Sequence, residues 1–88
     1  MTDTAESIRE RLQVLHPENV ELFDERAQHA GHAGAAGGGG HYRLVIVAKQ
    51  FSGLNAVARH RLVYQTLGDL MHVRVHALAI TALTPEEL

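Results

Sequence analysis

Apolar residues recur at helical spacing near the start of the chain, in the segment DTAESIRERLQVLHP. Steps of three and four residues predict an amphipathic helix with one apolar stripe. The stripe consists of Ile8, Leu12 and Leu15. Asp3 and Glu6 fit a capping box, in which each side chain bonds an amide of the first turn. Pro17 predicts the end of the helix, because the residue before a proline is pushed out of the helical region.

Three later segments have the composition of strands. In NVELFDER, Val20 and Leu22 alternate with Glu21, which predicts a short strand. HYRLVIVAKQF is β-branched and nearly continuous, as is typical of a strand in the middle of a sheet. HVRVHALAITAL predicts the last strand, and residues 84–88, TPEEL, follow it as a polar tail.

A second helix is predicted over NAVARHRLVYQTLG. Asn55 suits its N-cap and Gly68 its C-terminal end. Five residues at alternating steps of three and four form its predicted buried stripe: Val57, His60, Tyr64, Leu67 and Met71. Arg59 and Arg61 flank this stripe, and we expect both to reach solvent.

The element order is helix, strand, strand, helix, strand, which predicts an α+β fold in one domain over residues 1–88. Residues 27–40 are predicted to form a flexible glycine- and histidine-rich loop, across which the first two strands can pair antiparallel. The last strand follows a helix and is expected to run parallel to the middle strand through a right-handed crossover. The sheet is then three-stranded and mixed, with helices on one face.

The amino-acid composition excludes or disfavours several classes of protein. The 88 residues contain no cysteine, which excludes a disulfide framework and a thiolate metal site made by this chain alone. A net charge of -2 is unusual for a general nucleic-acid binder. No apolar run has the length of a membrane span, and the acidic start does not resemble a signal peptide. We expect a cytoplasmic, non-enzymatic protein, since no catalytic motif is present.

Histidine is abundant, with seven residues. His29 and His32, in HAGH, can reach one metal ion, although a single such pair is also typical of a solvated loop. His41 opens the middle strand, where it could simply solvate the strand end or serve as a rigidly anchored ligand. His60 is expected to be half-buried. His76 is equally consistent with a histidine packed on the sheet and with an imidazole open to a partner.

Two separate strings resemble the BolA family. FSGLNAVARHRLVY, residues 51–64, matches that family's F-x-G and RHR-x-VY pattern. VHALAITALTPEE, residues 75–87, matches its HAL strand and TPEE-like tail. HAGHAGAAGGGGHYRLVIV is similar to the histidine loop and middle strand of bacterial members. The resemblance covers nearly the whole chain.

The resemblance implies a class II KH-like fold and a monothiol glutaredoxin as partner. It implies a shared [2Fe–2S] cluster, with thiolates from the glutaredoxin and from glutathione, and no cofactor when this chain is alone as a monomer. Carried onto this sequence, one ligand is His76. The second lies among His29, His32 and His41. A chain without cysteine needs such a partner, and imidazole ligands raise a cluster's potential.

The alternative is a DNA-binding transcriptional regulator that uses a KH-like surface. Five cationic residues are candidates for a partner or nucleic-acid surface: Arg43, Lys49, Arg59, Arg61 and Arg74. A KH clamp needs a GXXG between paired helices. The corresponding stretch here is GDLM, residues 68–71, whose aspartate disfavours phosphate.

Overall fold

The computed structural model describes residues 4–25, 40–73 and 75–88, with the backbone alone at Val73 and His76. The first helix, α1, spans Thr4–Leu12 and continues as a 3₁₀ turn over Gln13–Leu15. His16 then takes a left-handed conformation with φ 50°, which ends the helix just before Pro17 as predicted. The proposed cap at Asp3 lies outside the described residues.

The predicted sheet is confirmed. Its strands are β1 (Asn19–Asp24), β2 (Gly40–Val47) and β3 (Val75–Leu83), in the spatial order β1-β2-β3. β1 and β2 are antiparallel, whereas β2 and β3 are parallel. Alternation along β2 decides which side chains face the helices, because neighbouring side chains of a strand point to opposite faces.

The core lies between the sheet and the helices. The apolar stripe of α1 is buried, as predicted. The inward side chains of β2 and several helix residues complete the core: Ile8, Leu12, Leu15, Tyr42, Leu44, Ile46, Phe51, Val63 and Leu67. Helices therefore cover one face of a three-stranded mixed sheet, which confirms the α+β prediction and is compatible with a class II KH arrangement. Among the described residues, no helix is long and apolar enough to cross a bilayer.

The second helix, α2, spans Ala56–Leu67, and its predicted caps are both present. The Ala58 N–H donates to the Asn55 Oδ1 at 2.8 Å, which satisfies one of the unpaired amides of the first turn. Gly68 ends the helix with φ 57°. A short helix, α3 (Leu70–Val73), follows and leads to β3. The sequence pattern did not predict α3, since four residues are too few to show a helical period.

The predicted stripe of α2 is partly wrong. Leu67 is buried, but Val57 is 59 % exposed and Tyr64 is 41 % exposed. The face turned to the core carries Val63 and Leu67, with Arg59 one turn earlier. The Arg59 side chain is only 14 % exposed, so the expectation that it reaches solvent is also wrong. A long aliphatic stem lets arginine pack against apolar groups while its guanidinium finds polar partners.

Two segments beside the strands differ from the sequence prediction. β2 ends at Val47, and Lys49–Phe51 form a 3₁₀ turn that buries Phe51. The expected polar tail is an ordered 3₁₀ turn over Pro85–Glu87, held by a capping box between Thr84 and Glu87. Thr84 is 5 % exposed, so this turn packs against the domain.

Candidate functional site

The parallel strands β2 and β3 begin at the same end of the sheet. In their register, Gly40 lies opposite Val75 and His41 lies opposite Ala77, with a register shift between Gly40 and His41. The backbone of His76 therefore adjoins the first two residues of β2. Val75, at 5 % exposure, anchors this end of β3 in the core. Residues 27–40, the predicted loop, join β2 at this same place.

His41 lies on the face of the sheet that the helices leave open. Its neighbour Tyr42 is buried at 4 % exposure on the helix face, so alternation directs His41 and Arg43 to the opposite face. The His41 side chain is exposed there. The His41 residue thus lies on the open face at the beginning of β2.

The other predicted ligands are not all within the described part of the chain. His29 and His32 lie outside it, as does the side chain of His76. Over residues 4–25, 40–73 and 75–88, no group of three or more histidine, aspartate or glutamate side chains could hold a metal ion. The ligand assignments stay predictions.

His60 is half-buried, as expected for it. It lines an open cavity of about 430 Å³ between the start of α2 and the far end of β3. Arg59, Ile80, Ala82 and Glu87 also contribute to its walls. This cavity lies near the C-terminal end of β3, whereas His76 is next to its first residue, so the two regions are separate.

Arg59 connects three segments at that cavity. Its Nε donates to the Leu54 carbonyl at 2.9 Å, and its Nη1 donates to the Ala82 carbonyl at 2.9 Å. Nη1 also lies 2.7 Å from the Glu87 Oε1. The RHR string and the TPEE string, which both resemble the family pattern, therefore meet in the fold through one guanidinium.

Glu87 is held as a carboxylate. The hydrogen bond from Arg59, followed by the hydrogen bond from the Thr84 N–H at 2.7 Å, lowers the pKa of Glu87 from 4.5 to about 2. Both contacts favour the charged form. The C-terminal turn is thus fixed to α2 and β3 across the pH range in which most proteins work.

A second arginine holds the junction between α2 and α3. The Arg11 Nη1 donates to the Leu67 carbonyl and to the Asp69 Oδ1, at 2.8 Å each. The hydrogen bond from Arg11 lowers the pKa of Asp69. Asp69 lies in the GDLM stretch that was compared with a KH clamp, and the lowered pKa keeps its carboxylate in the charged form.

Those of the predicted cationic residues that the structure describes lie in different places. Arg43 lies on the open face, over the Phe23 ring at 4.5 Å and 3.7 Å from the Glu25 carboxylate. Lys49 is exposed beyond the other end of β2, roughly 20 Å along the strand direction. Arg61 is exposed on α2, on the helix-covered side of the sheet. The Arg59 guanidinium is bound to groups of the domain itself. Arg74 lies outside the described residues.

Sequence reasoning missed the roles of Thr84, Glu87 and Arg11. The string TPEE has the spacing of a capping box, a threonine followed three residues later by a glutamate. That spacing could have predicted an ordered turn in place of a polar tail. Arg11 carries no comparable signal, because its partners Leu67 and Asp69 are distant in sequence and are brought near only by the packing of α1 on α2.

Comparison with known proteins identifies a family and several relatives. Residues 12–87 match the family described as BolA-like protein. The chain is 44 % identical over 87 residues to Protein BOLA1, chloroplastic, of Arabidopsis thaliana, covering 94 % of this chain and 54 % of that protein. It is 39 % identical over 73 residues to the DNA-binding transcriptional regulator BolA of Vibrio cholerae, covering 83 % of this chain and 66 % of that one.

A solved structure shows the same fold. BolA1 from Arabidopsis thaliana superposes with a TM-score of 0.84 at 41 % identity, over 100 % of this chain and 98 % of that one. The chain spans about half the length of the BOLA1 protein it matches. None of these three names states a catalysed reaction. On the family match and on this shared fold, the chain belongs to the BolA family.

Proposed function

We propose that this chain is a non-enzymatic cytoplasmic adaptor that pairs with a monothiol glutaredoxin and completes the ligand set of a shared [2Fe–2S] cluster. The observation that carries the proposal is the register of β2 and β3. It brings the backbone of His76 beside Gly40 and His41, where the histidine-rich segment joins the sheet. In this proposal a strand histidine and a second histidine act from that one end of the sheet.

The donor chemistry fits such a shared cluster. The chain has seven histidines and no cysteine, so it offers imidazole nitrogen and cannot supply thiolate. A [2Fe–2S] cluster with imidazole ligands on one iron has a higher reduction potential than one held by four thiolates. In this proposal the sulfur ligands come from glutaredoxin and glutathione. The strand pairing and the buried Val75 hold the His76 backbone in place before the partner arrives.

The second ligand is one of His29, His32 and His41. His41 is held by β2 and exposed on the open face. His29 and His32 precede it in the glycine-rich segment, whose composition allows a ligand to move onto the cluster and away from it. A protein that passes a cluster to a client benefits from one fixed and one movable ligand.

Visible absorption and circular dichroism of the reconstituted complex test the proposal. Monothiol glutaredoxin, glutathione, iron and sulfide are mixed with the wild type or with a single histidine-to-alanine variant. We expect His76→Ala, and one variant among His29→Ala, His32→Ala and His41→Ala, to change the spectrum or weaken the cluster. His72→Ala is the matched control, since His72 is exposed on α3 near the same end of β3. A wild-type spectrum identical to that of glutaredoxin alone contradicts the proposal.

DNA binding is the second candidate, favoured by the name of the Vibrio cholerae relative. The dispersed cations and the charged Asp69 in GDLM count against a direct phosphate clamp in the described part of the chain. Binding to promoter fragments at increasing salt distinguishes the two functions, because neutralised phosphates release counterions and give a steep salt dependence. Absence of saturable, salt-dependent binding at micromolar protein removes this candidate.

A further inference from the structure

The pairing of β2 with β3 contains one extra residue on the β3 side. Gly40 lies opposite Val75. The next residue of β2, His41, lies opposite Ala77, so one step along β2 corresponds to two steps along β3. His76 is the residue between these two pairs. An insertion of this kind is a β-bulge, whose extra residue is left out of the regular ladder.

The exposure of the flanking residues shows the same insertion. Val75 is 5 % exposed and belongs to the core, whereas Ala77 is exposed. Ala77 lies opposite His41, on the face of the sheet that the helices leave open. Residues two apart in a regular strand share one face. The alternation of faces along β3 is therefore interrupted at His76, in agreement with the register.

Gly40 suits the position opposite the core residue Val75. It is two residues before the buried Tyr42, so alternation assigns Gly40 to the helix face of β2. A glycine brings no side chain to that face, where Val75 is buried. The core holds the backbone just before His76, and the pairing of the next residue with His41 holds it just after. The position of the His76 backbone is thus fixed from both sides.

We propose that this β-bulge positions His76 as a ligand of the shared cluster, and that Val75 is the positioning residue that anchors it. The inference rests on the proposed function and assigns a part of the fold to it. Bulges are rare between parallel strands and frequent next to active sites. An extra residue bends its strand and increases the local twist, so it presents a ligand differently from a residue in a regular pair.

Deletion of Ala77 removes the bulge and keeps the imidazole. In the shortened chain His76 becomes the partner of His41, while the pairs before and after keep their places. β3 then alternates regularly from the core residue Val75 to the half-buried Leu78, so we expect this variant to fold. Deletion of His76 is the matched control, because it also removes the bulge but leaves an alanine in the new pair.

Nuclear magnetic resonance of the chain without a cluster tests the register. We expect proton–proton contacts across the two strands to join His41 to Ala77 in the wild type and His41 to His76 in the chain that lacks Ala77. Contacts between His41 and His76 in the wild type would show a regular strand and overturn the proposal.

The lifetime of the cluster tests the positioning. The reconstituted glutaredoxin complex is mixed with an iron chelator, and the loss of visible absorption is timed. We expect deletion of Ala77 to shorten the lifetime as much as His76→Ala does, by about tenfold or more. A folded variant without Ala77 whose cluster lasts as long as that of the wild type overturns this proposal and leaves the proposed function intact. A lifetime unchanged by His76→Ala overturns both.

Val75→Ala tests the anchor in a chain of natural length. Val63→Ala is the matched control, since Val63 is a buried valine on α2 and loses the same atoms. We expect both replacements to lower the unfolding free energy, but only Val75→Ala to shorten the cluster lifetime, by about tenfold. Equal lifetimes in these two variants overturn the proposal, whether or not the deletion variants fold.

Discussion

Arg59 and Glu87 form an ion pair in which the Nη1 and Oε1 atoms are 2.7 Å apart, although 28 residues separate them in sequence. The same carboxylate oxygen accepts the Thr84 N–H at 2.7 Å. The pair closes the C-terminal turn onto α2 and the end of β3. The RHR and TPEE strings, which resemble the family pattern, are therefore joined by one ion pair.

Replacement of Arg59 by methionine is expected to destabilise the domain by about 2 kcal/mol. Met keeps the apolar stem but leaves the Leu54 and Ala82 carbonyls without this donor and removes the charged partner of Glu87. Urea denaturation followed by circular dichroism measures this loss. Arg61→Met is the control, since Arg61 is exposed and its replacement should change the unfolding free energy by less than about 0.5 kcal/mol. Equal effects of the two replacements would contradict the assigned role of Arg59.

Acid should weaken the contact between Arg59 and Glu87. The pKa of Glu87 is lowered from 4.5 to about 2 in the folded protein, so its stabilising effect is complete above about pH 4.5. This stabilising effect is lost as the pH falls through about 2, because the Glu87 carboxyl is then protonated in both the folded and the unfolded protein. The difference in unfolding free energy between the wild type and Glu87→Gln should shrink over this range.

Glu87→Gln retains every other carboxylate, including Asp69, whose pKa is also lowered. The comparison at each pH therefore isolates Glu87. The difference is read from denaturation curves of both proteins at matched ionic strength. A difference that stays constant from pH 4.5 to 2 would show that the ion pair does not set the pKa of Glu87.

Gly68→Ala is expected to destabilise the domain by about 2 kcal/mol, because Gly68 has φ 57° and ψ -132°, a conformation that residues with a Cβ rarely adopt. An added Cβ would also lie 3.2 Å from the Arg11 Nη1. Gly53→Ala is the matched control, because Gly53 has φ 79° but no atom within 4 Å of an added Cβ. The midpoint of thermal unfolding should be lower for Gly68→Ala than for Gly53→Ala. The reverse order would contradict the strain assigned to an alanine at residue 68.

The sequence predicted the elements that depend on local pattern. Alternation and β-branched residues identified β1, β2 and β3, and Asn55 and Gly68 marked the ends of α2 correctly. The stripe of Ile8, Leu12 and Leu15 was correct because α1 has one packed face. The parallel pairing of β3 with β2 followed from the intervening helix, and the register confirms it.

The pattern failed where polar groups pack inside the domain. Periodicity treats arginine as a surface residue, yet Arg59 is largely buried because Leu54 and Ala82 provide carbonyls and Glu87 provides a charge. The predicted buried stripe of α2 was consequently wrong at Val57 and Tyr64, although it was right at Leu67. Such contacts join segments far apart in sequence, so no local spacing reveals them.

The candidate site was predictable only in part. The family resemblance pointed to His76, and the register then explained which part of β2 adjoins it. The local sequence pattern could not have shown that His76 adjoins Gly40 and His41, because the register depends on how two strands distant in sequence pair with each other. The choice among His29, His32 and His41 stays a prediction.

Nitrogen coupling to the reduced cluster tests the shared-cluster proposal most directly. This chain is labelled with ¹⁵N-histidine, combined with unlabelled glutaredoxin, glutathione, iron and sulfide, reduced, and studied by pulsed electron paramagnetic resonance. The proposal predicts a strongly coupled nitrogen that changes from ¹⁴N to ¹⁵N with the label and is weakened in His76→Ala. A spectrum unaffected by the label would show that no histidine of this chain binds the iron.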